Sequence, residues 1–190
     1  MKLIYKGGFD GNVENLPGRE HMPGATKFKE FDDPTKLAIF MNVIAVIVGL
    51  GLVAFVALYG EYSPWMPVGA IMSMVILFPH EMLHAICFKE TVYLYTNWSK
   101  GMLFVVGPET MSKGRFIFMS LLPNIVFGFI PFIIFLFMPQ WSALGMFGGL
   151  SISMGVGDFY NVFNALTQMP KGARTYLHKF NSYWYIPDKK

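Results

Sequence analysis

Four stretches of the chain are almost continuously apolar, and short polar or charged segments separate them. An α-helix needs about 20 apolar residues to cross the hydrocarbon core of a bilayer. The pattern therefore predicts four transmembrane helices, at residues 37–59, 66–88, 116–138 and 142–166. The fold class that we expect from this pattern is an all-α polytopic membrane protein.

The positions of these predicted spans divide the chain into three regions. Residues 1–36 carry charges, glycines and prolines and predict a cytoplasmic N-terminal arm. Residues 37–166 form the predicted four-helix membrane core. Residues 167–190 mix aromatic with basic side chains, which is typical of a tail that lies on the membrane surface.

A short β-hairpin is predicted between the second and third spans. Residues 91–98 (TVYLYTNW) and 102–106 (MLFVV) are rich in strand-forming residues, and residues 97–101 supply the turn. The free edge of such a hairpin has two interpretations. It holds an extended peptide by strand addition, or the hairpin is a plain connection between two helices.

The composition excludes several classes of protein. The chain is 54% hydrophobic and 14% charged, whereas an average soluble chain carries roughly a quarter charged residues. This excludes a disordered chain, which needs low hydrophobicity and high charge. The single cysteine, Cys87, excludes a disulfide scaffold and a multi-cysteine metal site. A net charge of +3 is too small to indicate a nucleic-acid partner.

The positions of the basic residues predict the orientation in the membrane. All fifteen lysines and arginines lie in residues 1–36, 89–115 or 167–190. The short loops at residues 60–65 and 139–141 contain none. Because cytoplasmic loops are enriched in Lys and Arg, we expect both termini to be cytoplasmic.

Ionisable residues are costly inside a membrane, and this chain concentrates them in one motif. The predicted spans contain His80, Glu81, His84 and Asp158 but no Lys or Arg. Histidines four residues apart share one face of a helix and reach one Zn²⁺, while the intervening glutamate serves as a base for water. The alternative is a buried, hydrogen-bonded His/Glu cluster without metal. Pro79 predicts a disturbed helical turn directly before this motif.

Asp158 is the candidate for a third zinc ligand, because catalytic zinc sites use three protein ligands and leave one position open. At about 1.5 Å per helical residue, His84 and His80 lie roughly 6–12 Å from the cytoplasmic end of the second predicted span. Asp158 lies roughly 12 Å from the cytoplasmic end of the fourth span, so the depths agree. The alternative is a protonated carboxyl that bonds within its own helix.

Two asparagines in the spans are further candidates. Asn161 shares a helix face with Asp158, which suits it to orient the carboxylate or to stabilise an oxyanion. Asn124 lies near the cytoplasmic end of the third span and is a candidate for binding a substrate carbonyl. The alternative for both is an interhelical hydrogen bond.

An H-E-x-x-H motif in a membrane helix, followed by an aspartate in a later helix, resembles the site-2 protease superfamily of intramembrane zinc metalloproteases. Residues 66–166 carry the resemblance, including the motif, residues 111–116 (MSKGRF) leading to Pro123, and Gly157-Asp158. The size is similar to the compact bacterial branch called "putative zincin peptidases". The resemblance implies that zinc is bound by the two histidines and Asp158, with Glu81 as the base. Site-2 proteases usually place the aspartate before a glycine, whereas here it follows one.

These observations lead to one main hypothesis and two alternatives. The main hypothesis is an intramembrane zinc metalloprotease of a bacterial cytoplasmic membrane that cleaves membrane-embedded or membrane-proximal peptides. The first alternative is a zinc-dependent membrane hydrolase of a lipid or a small amide. The second is a non-catalytic metal-binding membrane protein that acts through a partner.

Overall fold

Two small β-sheets and a set of apolar helices make up the computed structural model of the protein. The structure describes residues 1–98 and 102–188. The centre of the predicted turn, residues 99–101, and the last two residues of the predicted tail lie outside the described residues.

The described chain divides into two compact units, each assembled from segments that are distant in sequence. The first unit comprises residues 1–34, 81–119 and 161–190. The second unit comprises residues 35–80 and 120–160. The β-strands belong to the first unit, and the second is helical.

The strands of the first unit form two sheets. They are β1 (Lys2–Gly8), β2 (Thr26–Lys27), β3 (Thr91–Asn97), β4 (Met102–Val106), β5 (Met111–Ser112), β6 (Arg174–His178) and β7 (Asn181–Tyr185). The first sheet has the order β1-β3-β4, and the second has the order β2-β7-β6-β5.

The first sheet contains the predicted hairpin. Strands β3 and β4 pair in antiparallel register, with Leu94 opposite Val105, so this prediction is confirmed. Strand β1 adds to the other side of β3 in parallel, with Lys2 opposite Thr91. Strand β4 is therefore an edge strand of the described sheet. Val92 of β3 is fully buried in a cluster with neighbouring apolar side chains, which anchors the sheet.

The second sheet is antiparallel throughout, and its strands come from the N-terminal arm, the segment after β4 and the C-terminal tail. Thr26 of β2 pairs with Trp184 of β7, and Thr175 of β6 pairs with Met111 of β5. A buried cluster that includes Phe28 packs beside it. The N-terminal arm and the C-terminal tail thus contain strands that the apolar pattern did not predict.

The α-helices of the described residues range in length from 8 to 26 residues. They are α1 (Pro34–Tyr59), α2 (Met66–Val75), α3 (Leu77–Ala85), α4 (Lys113–Pro123), α5 (Ile130–Phe137), α6 (Ser142–Met154) and α7 (Val156–Gln168). A π-helical turn at Asn124–Phe129 joins α4 to α5. Helix α1 begins at a proline, whose fixed φ suits the first helical position.

Pro79 explains the break between α2 and α3. Because proline has no N–H, the carbonyl of Val75 loses its helical partner, and the proline ring crowds the same carbonyl. Helix α2 ends at Val75, and the two helices meet at an angle of 43°. The disturbed turn before the histidine motif is present, as the sequence predicts.

Small residues allow the helices of the second unit to approach closely. A Cβ added at Gly69 of α2 would overlap the backbone of Ala143 in α6. A Cβ at Gly145 of α6 would lie 2.7 Å from the ring of Phe135 in α5. Close backbone approach of this kind is typical of helices that pack in a membrane.

The prediction of an all-α protein with four transmembrane helices is wrong. The described chain is a mixed α/β fold with two β-sheets. Two of its helices are long and apolar enough to cross a membrane: α1, with a mean hydropathy of 2.7, and the stretch Lys113–Phe137, with 2.2. The bent pair α2–α3 would raise this number to three.

The physical reason for this correction is clearest in the predicted fourth span. It consists of two helices of 13 residues each, α6 and α7, separated at Gly155. Neither has the length to cross a bilayer. Hydropathy averaged over the stretch does not register a break at one residue.

Candidate metal centre

Helix α3 carries three potential metal ligands close together. One ligand atom from each of His80, Glu81 and His84 lies within 4.8 Å of the other two. Glu81 and His84 are buried, at 9% and 7% exposure. The arrangement follows from helical geometry, because residues i and i+4 project from the same face.

Asp158 of α7 also contacts this motif. Its Oδ2 lies 3.2 Å from Nε2 of His80, and about one seventh of each side chain is exposed. The same carboxylate oxygen accepts a hydrogen bond of 2.8 Å from Nδ2 of Asn124. Asn124 is 1% exposed and also donates to the carbonyl of Ser120 at 3.2 Å.

The donor set fits zinc. Imidazole nitrogens and carboxylate oxygens are ordinary zinc ligands. Two ligand atoms at about 2.0–2.1 Å from a tetrahedral zinc are separated by about 3.3 Å. The 3.2 Å between His80 Nε2 and Asp158 Oδ2 is close to this value. His80, Glu81 and His84 are therefore one set of three potential ligands, and Asp158 contacts His80 of this set.

A comparison with the sequence models of known families finds one that matches this segment of the chain. Residues 73–174, more than half of the chain, match the sequence model of a family described as "putative zincin peptidase". The chain belongs to the zincin peptidase family. A search of curated proteins and a search of solved structures each find no match. Family membership indicates a zinc metallopeptidase, and the matched segment includes all the candidate ligands.

In this member of the family, a backbone carbonyl holds one of the two histidines. Nδ1 of His84 lies 2.9 Å from the carbonyl oxygen of Met119 in α4. A carbonyl oxygen can only accept, so Nδ1 donates and carries the proton. The lone pair of the neutral ring is then on Nε2, which is a common zinc-binding atom of histidine.

Strand β4 holds the glutamate of the motif. The backbone N–H of Val105 donates a hydrogen bond of 2.9 Å to Oε2 of Glu81. This N–H does not donate to β3, because it points away from that strand toward the free edge of the sheet. The Glu81 carboxylate is thus held at the outer edge of β4.

A buried ion pair fixes the segment that follows the motif. Arg115 of α4 donates from Nε and Nη2 to the carbonyl of Cys87, at 2.8 and 2.5 Å, and from Nη1 to Glu109 at 2.6 Å. Glu109, 5% exposed, also accepts from the N–H groups of Lys89 and Glu90. Burial alone would raise the pKa of Glu109, but these hydrogen bonds and the arginine charge hold it below its usual value.

The predicted polar candidates have different outcomes. Asn124 contacts the Asp158 carboxylate, so its amide is engaged with a candidate ligand. Asn161 lies one turn after Asp158 and is half-buried, and its role toward the carboxylate stays a prediction. The backbone groups of Val105 and Met119 carried no signal in the sequence, because every residue except proline has the same N–H and C=O.

Gly155 gives Asn124 the space that it needs. A Cβ added at Gly155 would overlap the Asn124 amide. We expect Gly155→Ala to displace this amide from Asp158 and to weaken zinc binding about tenfold, as the loss of an outer hydrogen bond does in other metal sites. Zinc affinity of the detergent-purified protein, measured by chelator competition, tests this.

Gly157→Ala is the matched control for this substitution. A Cβ at Gly157 meets no atom within 4 Å, although the residue adjoins Asp158. We expect this variant to bind zinc as the wild type does. Equal affinities for the wild type and Gly155→Ala would show that the Asn124 contact does not support the site.

Proposed function

We propose that this protein is an intramembrane zinc metallopeptidase. Zinc is held by His80, His84 and Asp158, and Glu81 is the general base. The observation that carries the proposal is the cluster of ligand atoms on α3, together with the 3.2 Å approach of Asp158 to His80. Membership in the zincin peptidase family supports the same chemistry.

Each residue of the site has a role that follows from its contacts. When bound, zinc polarises the scissile carbonyl and lowers the pKa of water. Glu81 accepts the proton of the attacking water and delivers it to the leaving amine. The N–H of Val105 keeps the Glu81 carboxylate in place, and Asn124 orients the carboxylate of Asp158.

The free edge of β4 is the proposed binding place of the substrate. An extended peptide would pair with backbone groups of β4 that bond neither to β3 nor to Glu81. Because Val105 lies on this edge and contacts Glu81, a paired peptide would run beside the general base. This favours an extended substrate over a helical one, whose amides are already hydrogen-bonded.

The apolar helices support a location in the membrane. Helix α1 has large apolar side chains that are mostly exposed, such as Leu50 at 66% and Leu58 at 88%. Such a surface is stable in contact with lipid. We propose the bacterial cytoplasmic membrane, with both termini in the cytoplasm beside the basic segments. The substrate is then a membrane-embedded or membrane-proximal peptide.

Zinc content and substrate class test the proposal together. The full-length protein, purified in detergent and supplied with zinc, is analysed by elemental mass spectrometry. It is then incubated with extended peptides, a helical membrane peptide, phospholipids and small amides. We expect about one zinc per chain and cleavage of the extended peptides.

Three other results would contradict the proposal in different ways. Hydrolysis confined to phospholipids or small amides would indicate the alternative hydrolase. Bound zinc without any hydrolysis would indicate a non-catalytic metal-binding protein. A folded protein that takes up no zinc would exclude a metallopeptidase.

A further inference from the structure

The orientation of His84 depends on one backbone carbonyl. Nδ1 of His84 donates to the carbonyl of Met119 over 2.9 Å, and the ring is 7% exposed. In the opposite tautomer, Nδ1 would have no proton to donate, and the Met119 carbonyl oxygen would face a lone pair. The contact therefore selects the tautomer in which Nε2 binds a metal.

This carbonyl is available because of a proline one turn later. Within an α-helix, the carbonyl of residue 119 accepts from the N–H of residue 123. Helix α4 extends over Lys113–Pro123, and residue 123 has no N–H. The carbonyl of Met119 thus lacks its usual helical partner and accepts from His84 instead.

A second contact holds this carbonyl in place. Arg115 precedes Met119 by four residues on α4, so the two lie on one face of the helix. Its guanidinium bonds the carbonyl of Cys87, which follows His84 by three residues. These two contacts, one helical turn apart, therefore set the register of α4 along the motif.

We infer that Pro123 is a positioning residue for the metal centre. Because Pro123 has no N–H to donate to it, the Met119 carbonyl accepts from His84 and keeps the ring in the tautomer whose Nε2 binds the metal. The inference rests on the proposed zinc site, because the benefit of this tautomer is a lone pair directed at the metal. It assigns to a proline in an apolar helix a role that packing alone does not require.

The competing explanation is that Pro123 only packs. It is fully buried and precedes the π-helical turn, so its replacement has structural consequences as well. Two variants separate these effects. Pro123→Ala supplies an N–H and leaves a small void, whereas Pro123→Val supplies an N–H with a side chain of similar size. An effect of the N–H is common to both variants, and an effect of the void is not.

The first measurement is the tautomer of His84 in the metal-free protein. ¹⁵N-histidine NMR at about pH 8, where an ordinary imidazole is neutral, distinguishes a proton on Nδ1 from one on Nε2. His84→Gln identifies the signal. We expect Nδ1–H in the wild type and a shift toward Nε2–H in both Pro123 variants, because the new N–H competes for the Met119 carbonyl.

The second measurement is zinc affinity, with thermal unfolding of the metal-free protein measured in parallel. We expect both Pro123 variants to bind zinc about tenfold more weakly, whereas the void lowers the unfolding temperature of Pro123→Ala more than that of Pro123→Val. Pro67→Ala is the matched control. Pro67 lies in the first turn of α2, where an N–H has no helical acceptor, so its replacement should change neither the tautomer nor the affinity.

Several outcomes would overturn the inference. An Nε2–H tautomer in the wild type would exclude the contact with Met119. Unchanged tautomer and affinity in both variants, or a loss seen only in Pro123→Ala, would leave Pro123 a packing role. A wild-type protein that binds no zinc, but whose His84 tautomer responds to Pro123, would contradict the proposed function and retain the positioning of the ring.

Discussion

Replacement of Glu81 by glutamine is expected to abolish peptide cleavage and to preserve zinc binding. Glutamine cannot accept the proton of the attacking water, and general-base catalysis contributes roughly 10²–10⁴-fold to the rate. Its side-chain oxygen can still accept the hydrogen bond that Val105 donates to Glu81, so the local structure is retained. Cleavage of an extended reporter peptide and zinc per chain are measured on the same preparation.

The matched control for this prediction is Glu90→Gln. Glu90 is exposed, and only its backbone N–H takes part in the contacts of Glu109. The control should therefore cleave at the wild-type rate. Cleavage by Glu81→Gln at the wild-type rate would exclude Glu81 as the base. Loss of zinc from Glu81→Gln would instead make Glu81 a metal ligand.

Replacement of His84 by alanine is expected to remove zinc almost completely. The loss of one of three protein ligands exceeds the 10–100-fold cost of losing an outer hydrogen bond, so the affinity should fall more than about 100-fold. Asp158→Asn should also weaken binding, because a neutral amide is a poorer ligand than a carboxylate. Elemental analysis and chelator competition on the detergent-purified variants measure both effects.

Asp158→Asn and Glu81→Gln together decide which carboxylate completes the site. Glu81 lies beside both histidines of α3 and Asp158 contacts His80, and both substitutions replace a carboxyl group by an amide of similar shape. Zinc lost only from Asp158→Asn supports the proposed ligand set. Zinc lost only from Glu81→Gln contradicts it. His21→Ala, which removes an exposed histidine in the N-terminal arm, should bind zinc as the wild type does.

The motif helix was predictable because its features are local. The spacing of His80, Glu81 and His84 places their side chains together on any α-helix. The effect of Pro79 is also local, since a missing N–H breaks the turn in which it lies. The β3–β4 hairpin followed from two strand-like segments separated by turn residues.

The sheets as a whole were not predictable in this way. Strand β1 pairs in parallel with β3, which lies 89 residues later at Lys2 and Thr91. Strands β2 and β5 have two residues each, too few to show any periodicity. Such strands owe their structure to partners that are distant in sequence, and a local pattern contains no information about those partners.

Whether the sequence or the tertiary structure decides a feature of this site therefore depends on the kind of chemical group involved. Side-chain chemistry is specific to a residue type, so the sequence by itself determined the histidine motif, the resemblance to the putative zincin peptidases and the candidate Asp158. The tertiary structure alone decided which backbone groups meet these side chains: the Val105 N–H at Glu81 and the Met119 carbonyl at His84. Every residue has a carbonyl, and only the packing of α4 against the motif brings this one to the histidine.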